Sequence, residues 1–466
     1  MLRHRKEWVK NMLKRIIAGT VTAALLCGLA GGCAQNKKSD VTTITVWTGN
    51  GHDKSYLTEK VEEWNKTIGA EKKIRIEYTV QNNSMEVAFS NGTAPDLFAG
   101  ADLVNDVAKG RLLPVSELPC GNELIEKYKD YFREGLETTG GKVYSIPYGF
   151  TTYGLIYNKD MFKAAGIVDE NGEAKPPKTL NEMREDAKKL TDISKKEYGF
   201  ILPTKDNLAY DINIGKWSMT VCGFPNGANP KTGKRDVTGI SKMTKFINAL
   251  MSDKSIMPGS ESMTNDAGRA KFSAGGVGMK SAGSYDFGVL TEQFPAKIDW
   301  GVVPFPGIED GETKYRSYAE VTRYLYINAA SVEEKGIDNL SEVYKWFYSD
   351  ELVTDMYKNG LRIPMFENII DETEVPENKA QWKEFAEFVK VSNVVKPGTK
   401  ADLKNKRSLD TIWTESIFGA NLSDDETDAL YKEAENYINE AVDIYYSEHP
   451  EENRDDRIFP DWNDEL

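Results

Sequence analysis

Histidine and cysteine are scarce: the 466 residues hold three of the first and four of the second. Cys27 lies inside an N-terminal apolar run and Cys33 ends it, so only Cys120 and Cys222 remain for a folded domain. That excludes a cysteine-built metal centre, and three histidines exclude a His-rich one. The two remaining cysteines fit either one disulfide or two separate thiols. Basic charge is also in deficit, with 59 Lys and Arg against 73 Asp and Glu and a formal charge of −14. Nucleic acid and anionic lipid both require a basic face, so neither is the expected main partner. No nucleophile elbow, P-loop, HExxH or zinc pattern occurs, and no cofactor is implied. After the N-terminal segment no apolar run approaches the ~20 residues of a membrane span. Internal repeats and low-complexity tracts are missing as well.

What is present begins with an export signal. Arg3, Arg5, Lys6, Lys14 and Arg15 precede the apolar stretch from Ile16 to Ala30, which closes in Gly31-Gly32-Cys33. A basic region, a short apolar core and small residues before a cleavage point mark a signal peptide over residues 1–33. Leu29-Ala30-Gly31-Gly32-Cys33 resembles a bacterial lipobox, with alanine where leucine is usual. The resemblance implies lipidation of Cys33 and a cell-surface protein held to the outer face of the cytoplasmic membrane by that anchor alone. Secretion after nearby cleavage is the alternative, and Met1 and Met12 are both usable starts. Residues 34–40, AQNKKSD, read as a polar tether. The remaining length exceeds the usual ceiling for one core, so two lobes are expected.

The stretch Gly141–Phe162, GKVYSIPYGFTTYGLIYNKDMF, is the centre of the pattern. Two strand-like runs, Val143–Pro147 and Tyr153–Tyr157, flank aromatics and threonines, and a helical segment follows at Lys159–Ala165. Pro147 and Gly149 mark a bend between the runs. Gly-Lys-Val-Tyr-(x)2-Pro followed by Leu-Ile-Tyr-Asn-Lys-Asp-Met-Phe-(x)3-Gly resembles the first lobe crossover of the family 1 extracellular solute-binding proteins, the sugar-binding partners of ABC importers.

Other segments carry the resemblance from about residue 43 to 447. Thr43–Trp47 reads as a buried strand, Lys54–Thr67 as a helix with Leu57, Val61 and Trp64 on one face, and Lys73–Val80 as a second strand. This βαβ succession predicts a parallel α/β sheet. Gly92-(x)2-Pro95-Asp96 leads into a strand at Leu97–Ala99, as in the family. Pro176–Leu180 opens a helix over Asn181–Thr191. A second helical run spans Leu208–Val221, a hairpin occupies Asn226–Asp236, and an amphipathic helix covers Ile240–Ser252. Phe272–Tyr285 resembles the family's second crossover, with Tyr285 where tryptophan is usual. Leu325–Ser331 resembles the third, and Leu361-Arg362-Ile363-Pro364 is similar to a later bend. Helices over Asn339–Ser349 and Asp424–Tyr446 complete the pattern. The resemblance implies a two-lobe, periplasmic-binding-protein-like (type II) α/β fold with three interlobe crossovers. The N-terminal lobe would comprise residues 41–151 and 282–328, and the C-terminal lobe 155–279 and 333–466.

Sugar faces carry C–H groups that pack on aromatic rings, while desolvated hydroxyls need polar side chains. Such pockets lie between lobes, at strand C-termini and helix N-termini. Combined with the family pattern, this rule selects Trp47 with the Thr48–Asp53 loop, then Asn82 and Asp102. At the crossover it selects Tyr148, Phe150, Thr151 and Tyr153, some facing ligand and others packing the hinge. Trp217 is either core or a platform. Tyr285 matches a stacking tryptophan, with Ser284 beside it. Arg323 precedes the third crossover, Arg362 lies near the Pro364 bend, and Trp413 resembles another platform. Gly275-Gly276-(x)-Gly278 suits a small-residue hinge rather than a phosphate loop, and Asp169–Gly172 a solvated turn rather than a calcium loop.

The expected function is capture of a carbohydrate, an oligosaccharide by the spread of aromatics, and its delivery to ABC permease subunits by a monomeric, non-enzymatic binding protein. The alternatives from other classes are an anchored carbohydrate sensor or adhesin, a binder of a non-sugar solute, and a glycosidase.

Overall fold

The computed structural model describes residues 41–466 except 50, 82, 207, 309–313, 324, 395–397, 420, 421 and 451, and excepting the side chains of 208 and 323. The signal peptide, Cys33 and the tether therefore lie outside the described residues. Among those described, no helix is long and apolar enough to cross a membrane.

Two sheets organise the chain. The first has the strand order Ile74–Val80, Thr42–Thr48, Leu97–Phe98, Tyr326–Asn328, Leu112–Leu113. Val46 and Trp47 pair in parallel with Leu97 and Phe98, and Ile74–Val80 lies beside Thr42–Thr48 on the other side, the strand, helix, strand succession that the alternating pattern predicts. The helix between the first two strands, Lys54–Lys66, buries Leu57, Val61 and Trp64 on one face. The second sheet is built around one long strand, Pro147–Asn158. Its first half pairs antiparallel with Ser317–Arg323. Its second half is flanked by Val277–Gly283 and by Trp300–Pro304, both antiparallel.

That long strand corrects the expectation of two runs with a bend between them. Pro147 is the first strand residue, where a missing N–H is tolerated. Gly149 lies inside the strand, paired with Thr322. A Cβ there would stand 2.5 Å from the Ile363 carbonyl oxygen, and the Phe150 N–H donates to that same oxygen at 2.8 Å. The glycine admits a close backbone approach instead of turning the chain.

The chain passes between the two sheets three times. It does so between Leu112–Leu113 and Pro147–Asn158, between Ser317–Arg323 and Tyr326–Asn328, and between Tyr326–Asn328 and Ser392–Val394. The second and third passages lie downstream of the positions expected from sequence. Val277–Gly283 and Trp300–Pro304 stay in the second sheet. Helices Ile337–Phe347 and Asp350–Lys358 pack beside the first: Tyr348 meets Tyr128 and Tyr148 edge-on, and the Tyr56 hydroxyl donates to Asp355 at 2.5 Å. Cys120 and Cys222 are separate thiols.

Local signals for helices hold well. Thr179 and Glu182 form a capping box for Leu180–Leu190, and Ser423 and Glu426 form one for Asp424–Glu448. The run expected over Leu208–Val221 is interrupted: Asp211–Lys216 is a π-helical turn between Leu208–Tyr210 and Met219–Cys222.

Asp186 sits on the buried face of Leu180–Leu190 beside Met183, Ala187 and Leu190. Desolvation raises its pKa from 3.8 to about 6. A raised carboxyl pKa means that the folded state holds the proton more tightly, so stability falls as pH rises from about 4 to 6 and stays lowered above it. Asp186→Asn therefore raises Tm at pH 7.5, by a free energy on the order of 2 kcal/mol, and the gain fades by pH 4. Thermal melts at the two pH values check this, and an equal difference at both would refute it.

Candidate functional site

A cavity of about 650 Å³ opens between the elements of the two sheets. From the side of the first sheet come Gly51, His52 and Ser55, which follow the Thr42–Thr48 strand, and Asn359–Arg362, which follow the Asp350–Lys358 helix. The other wall includes Ser284, Tyr285, Phe287, Thr291–Gln293 and Trp382, while Phe150 and Thr151 form part of the floor on the crossover strand.

Arg362 is held from two directions. Its Nη2 donates to Asp53 Oδ2 at 2.5 Å, and its guanidinium carbon stands 4.1 Å from the centre of the Tyr148 ring. Both members of the ion pair are buried, Arg362 being 5% and Asp53 0% exposed. Asp53 immediately precedes the Lys54–Lys66 helix, whose N-terminal dipole favours an anion. The pair thus ties that helix start to the chain leaving Asp350–Lys358.

Tyr285 is supported on the opposite side. Asp286 accepts from Arg269 Nε through one oxygen and from the Gly283 N–H, at 2.9 Å, through the other. Arg269 also donates to Asp266 at 2.7 Å, and its guanidinium carbon lies 5.7 Å from the Tyr285 ring centre. Tyr153 meets Tyr285 edge-on at 6.1 Å and donates its hydroxyl proton to Glu320 at 3.0 Å. His52 lies almost parallel to the Tyr285 ring, with centroids 5.7 Å apart. Gly283 permits this packing, since a Cβ there would stand 2.6 Å from the tyrosine ring.

The titratable rings around Tyr285 are held neutral. Burial raises the Tyr285 and Tyr153 phenols well above their usual range. Burial, and then the Arg269 charge, lower the His52 pKa, although the residue keeps exposed surface. Both effects hold these three rings uncharged at neutral pH. Burial also lowers Lys379 at the rim, whose Nζ donates to the Lys358 carbonyl at 3.0 Å. Ring faces beside hydroxyl and amide groups suit a ligand that is apolar on its face and hydroxylated at its edge. Among the described residues no cluster of three or more His, Cys, Asp or Glu is placed to hold a metal ion.

The structure brings five of the sequence-selected residues to the cavity: Phe150, Thr151, Ser284, Tyr285 and Arg362. Tyr153 is 3% exposed and lies against Tyr285, and Tyr148, 1% exposed, lies against Arg362. Trp47 is half-buried against the Phe98 and Tyr326 cluster and does not line the cavity. Asp102 is exposed and accepts from the Asn105 side chain at 2.6 Å. Trp217 is core: its ring stacks on Phe305 at 4.6 Å, and its indole N–H donates to the Pro306 carbonyl. Trp413 is core as well, 2% exposed and packed near Tyr210. Asn82 lies outside the described residues, as does the side chain of Arg323. Sequence reasoning missed Asn359, Thr291–Gln293 and Trp382; it named His52 only within a loop. Asn359 and Trp382 both lie in the third passage between sheets, the stretch from Tyr326–Asn328 to Ser392–Val394, which the sequence pattern places earlier.

The sequence profile of a family described as bacterial extracellular solute-binding protein matches residues 48–353. The arabinooligosaccharide-binding protein of Bacillus subtilis (strain 168) is 25% identical over 262 residues, covering 53% of this chain and 57% of the relative. The maltotriose-binding protein of Pyrococcus abyssi (strain GE5 / Orsay) is 26% identical over 298 residues, covering 63% of this chain and 59% of the relative. The chain thus spans a little over half the length of these curated relatives. Among solved structures, the GacH receptor of Streptomyces glaucescens, determined unliganded and with acarbose, superposes with a TM-score of 0.64 at 18% identity, covering 86% of this chain and 99% of that one. A cyclic alpha-maltosyl-1,6-maltose binding protein from Arthrobacter globiformis gives 0.62 at 17% identity, with coverage of 86% and 99%. These structural likenesses establish the two-lobe α/β fold.

Proposed function

The chain belongs to the bacterial extracellular solute-binding proteins, and from that premise we propose that it captures an oligosaccharide between its lobes and delivers it to the membrane subunits of an ABC importer. The observation that carries this reading is the composition of the cavity. A supported tyrosine face lies opposite the buried Arg362, with hydroxyl and amide groups between them. The protein acts outside the cytoplasm, as a monomer tethered through a lipid on Cys33, and turns over no substrate. On this reading one lobe comprises residues 41–146 and 325–372 and the other 147–323 and 380–466. Ligand contacts from both lobes favour the closed form over the open one, so capture shifts the population towards the shape that docks on the permease.

Thermal shift against a panel of neutral oligosaccharides tests the reading, because a cleft ligand stabilises only the folded state. At least one should raise Tm in a concentration-dependent way, and no hydrolysis product should form. A flat response across the panel, with uptake unaffected by gene deletion, would overturn it. Tyr285→Ala should weaken the active glycan by about 30-fold, corresponding to roughly 2 kcal/mol of lost ring contact and burial. Titration calorimetry measures this; unchanged affinity would remove Tyr285 from the site.

A further inference from the structure

The second lobe has a recess separate from the interlobe cavity. Two hollows of about 300 and 370 Å³ are both lined by Asn226 and Arg235. Arg235 lies on a hairpin in which Lys234 and Arg235 pair with Asn229 and Ala228. Asn439, on the Asp424–Glu448 helix, clamps its backbone: the Arg235 N–H donates to Asn439 Oδ1 at 2.8 Å, and Asn439 Nδ2 donates to the Arg235 carbonyl at 3.0 Å. The position of this residue is therefore fixed by two elements, and its side chain borders both hollows.

The surroundings of that guanidinium are unusual for a cation. Arg235 is partly buried, and Nη2 donates to the Thr399 carbonyl at 3.0 Å. Among the described residues no carboxylate forms an ion pair with it. The nearby carboxylates have other partners: Asp211 accepts from Lys216 at 2.5 Å, and Asp410 accepts from the Ser408 hydroxyl. Burial lowers the Arg235 pKa, with only the Tyr210 and Tyr446 phenols opposing. A cation withdrawn from water without a counter-charge is costly, and a planar guanidinium matches a carboxylate in two hydrogen bonds. Two aromatic rings, Tyr318 and Trp462, line the smaller hollow with it.

We propose that this recess binds a carboxylate-bearing sugar of the uronic acid class, the carboxylate pairing with Arg235, a ring hydroxyl with the Asn226 amide, and the sugar face with Trp462 or Tyr318. The smaller hollow matches the lower end of the size range of small-ligand pockets. It does not depend on what fills the cleft, although Tyr318 meets Tyr153 edge-on at 5.6 Å and Tyr153 in turn meets Tyr285. The recess therefore lies two ring contacts behind the cleft wall.

Titration calorimetry on the full mature chain, with D-glucuronate and D-galacturonate against D-glucose as probes, tests the assignment. One equivalent of at least one uronate should bind ten or more times tighter than glucose, with a preference that falls as salt is raised. Arg235→Gln should abolish the preference, Arg235→Lys should keep part of it, and Trp462→Ala should weaken uronate binding several-fold. Tyr285→Ala, which disables the cleft platform, should leave it intact. Equal binding of acid and neutral sugar, no uronate binding, or loss in Tyr285→Ala with retention in Arg235→Gln would each overturn the proposal. If Arg235→Gln does not fold by circular dichroism, Trp462→Ala in the C-terminal tail and the salt series decide. Failure here leaves the cleft reading standing, since that reading is tested on neutral oligosaccharides.

Discussion

Trp217→Ala lowers the unfolding free energy by about 3–5 kcal/mol and leaves the cleft's affinity for glycan within about twofold. The side chain is 0% exposed. It stacks on Phe305 with planes 11° apart and meets the edge of Phe246 at 6.1 Å. Truncation removes one of the largest buried volumes of the second lobe, and the ring contacts add ~0.5–1.5 kcal/mol beyond area burial. The Pro306 carbonyl keeps a donor, because the Thr220 hydroxyl also reaches it at 3.2 Å. Trp217→Phe should therefore cost about 1–2 kcal/mol, the stack surviving and the indole hydrogen bond lost. Urea melts give the stability, with an unchanged m-value for Trp217→Phe. Calorimetry with the active glycan gives the affinity. A large affinity loss in folded Trp217→Ala would place this residue in the site and contradict the geometry.

Trp217 also shows where reading from sequence loses its grip. Tyr285 and Trp217 are both large aromatics in loosely matching motifs, and one-dimensional spacing cannot say which face of an element meets the cleft. Tyr285 reaches it because Gly283 leaves room for the ring and the Asp286–Arg269 pair lies behind it. Trp217 turns inward because it lies beyond a π-helical turn, which shifts the facing of residues relative to an α-helix. Nothing in the residue pattern announces that turn. The first sheet and its covering helix were legible because their buried residues recur at helical and strand periods. The helices capped at Thr179 and Ser423 were likewise legible, though their capping boxes emerge only in the structure. Passages between lobes are different: Gly149 and Pro147 suggest a bend, yet in the fold one is a point of close approach to Ile363 and the other a strand start. Without the partner segment, a glycine needed for contact looks the same as a glycine needed for a turn. The same ambiguity hid Asn359, which reaches the cavity because the Asp350–Lys358 helix packs beside the first sheet, and Trp382, which reaches it from the other wall on the Ala380–Glu387 helix.

The Asp53–Arg362 pair carries the second large effect. Asp53→Ala removes the carboxylate paired with Arg362 at a site where both partners are buried, and should destabilise the protein by about 3–5 kcal/mol. Arg362→Leu strands the buried Asp53 carboxylate in the same way and should cost a similar amount. The double variant Asp53→Ala/Arg362→Leu should then be more stable than Asp53→Ala alone, giving a coupling energy of about 2 kcal/mol or more in a double-mutant cycle. Additive losses within about 0.5 kcal/mol would show that the two charges act independently, against the 2.5 Å contact. The cycle separates folding from ligand capture as well. Arg362 lines the cavity whereas Asp53 does not, so Arg362→Leu should weaken glycan binding directly. Asp53→Ala should weaken it only by letting the guanidinium leave the Tyr148 face. Raising the salt concentration should leave the Asp53–Arg362 coupling nearly unchanged, because a pair this deeply buried is screened far less than one at the surface.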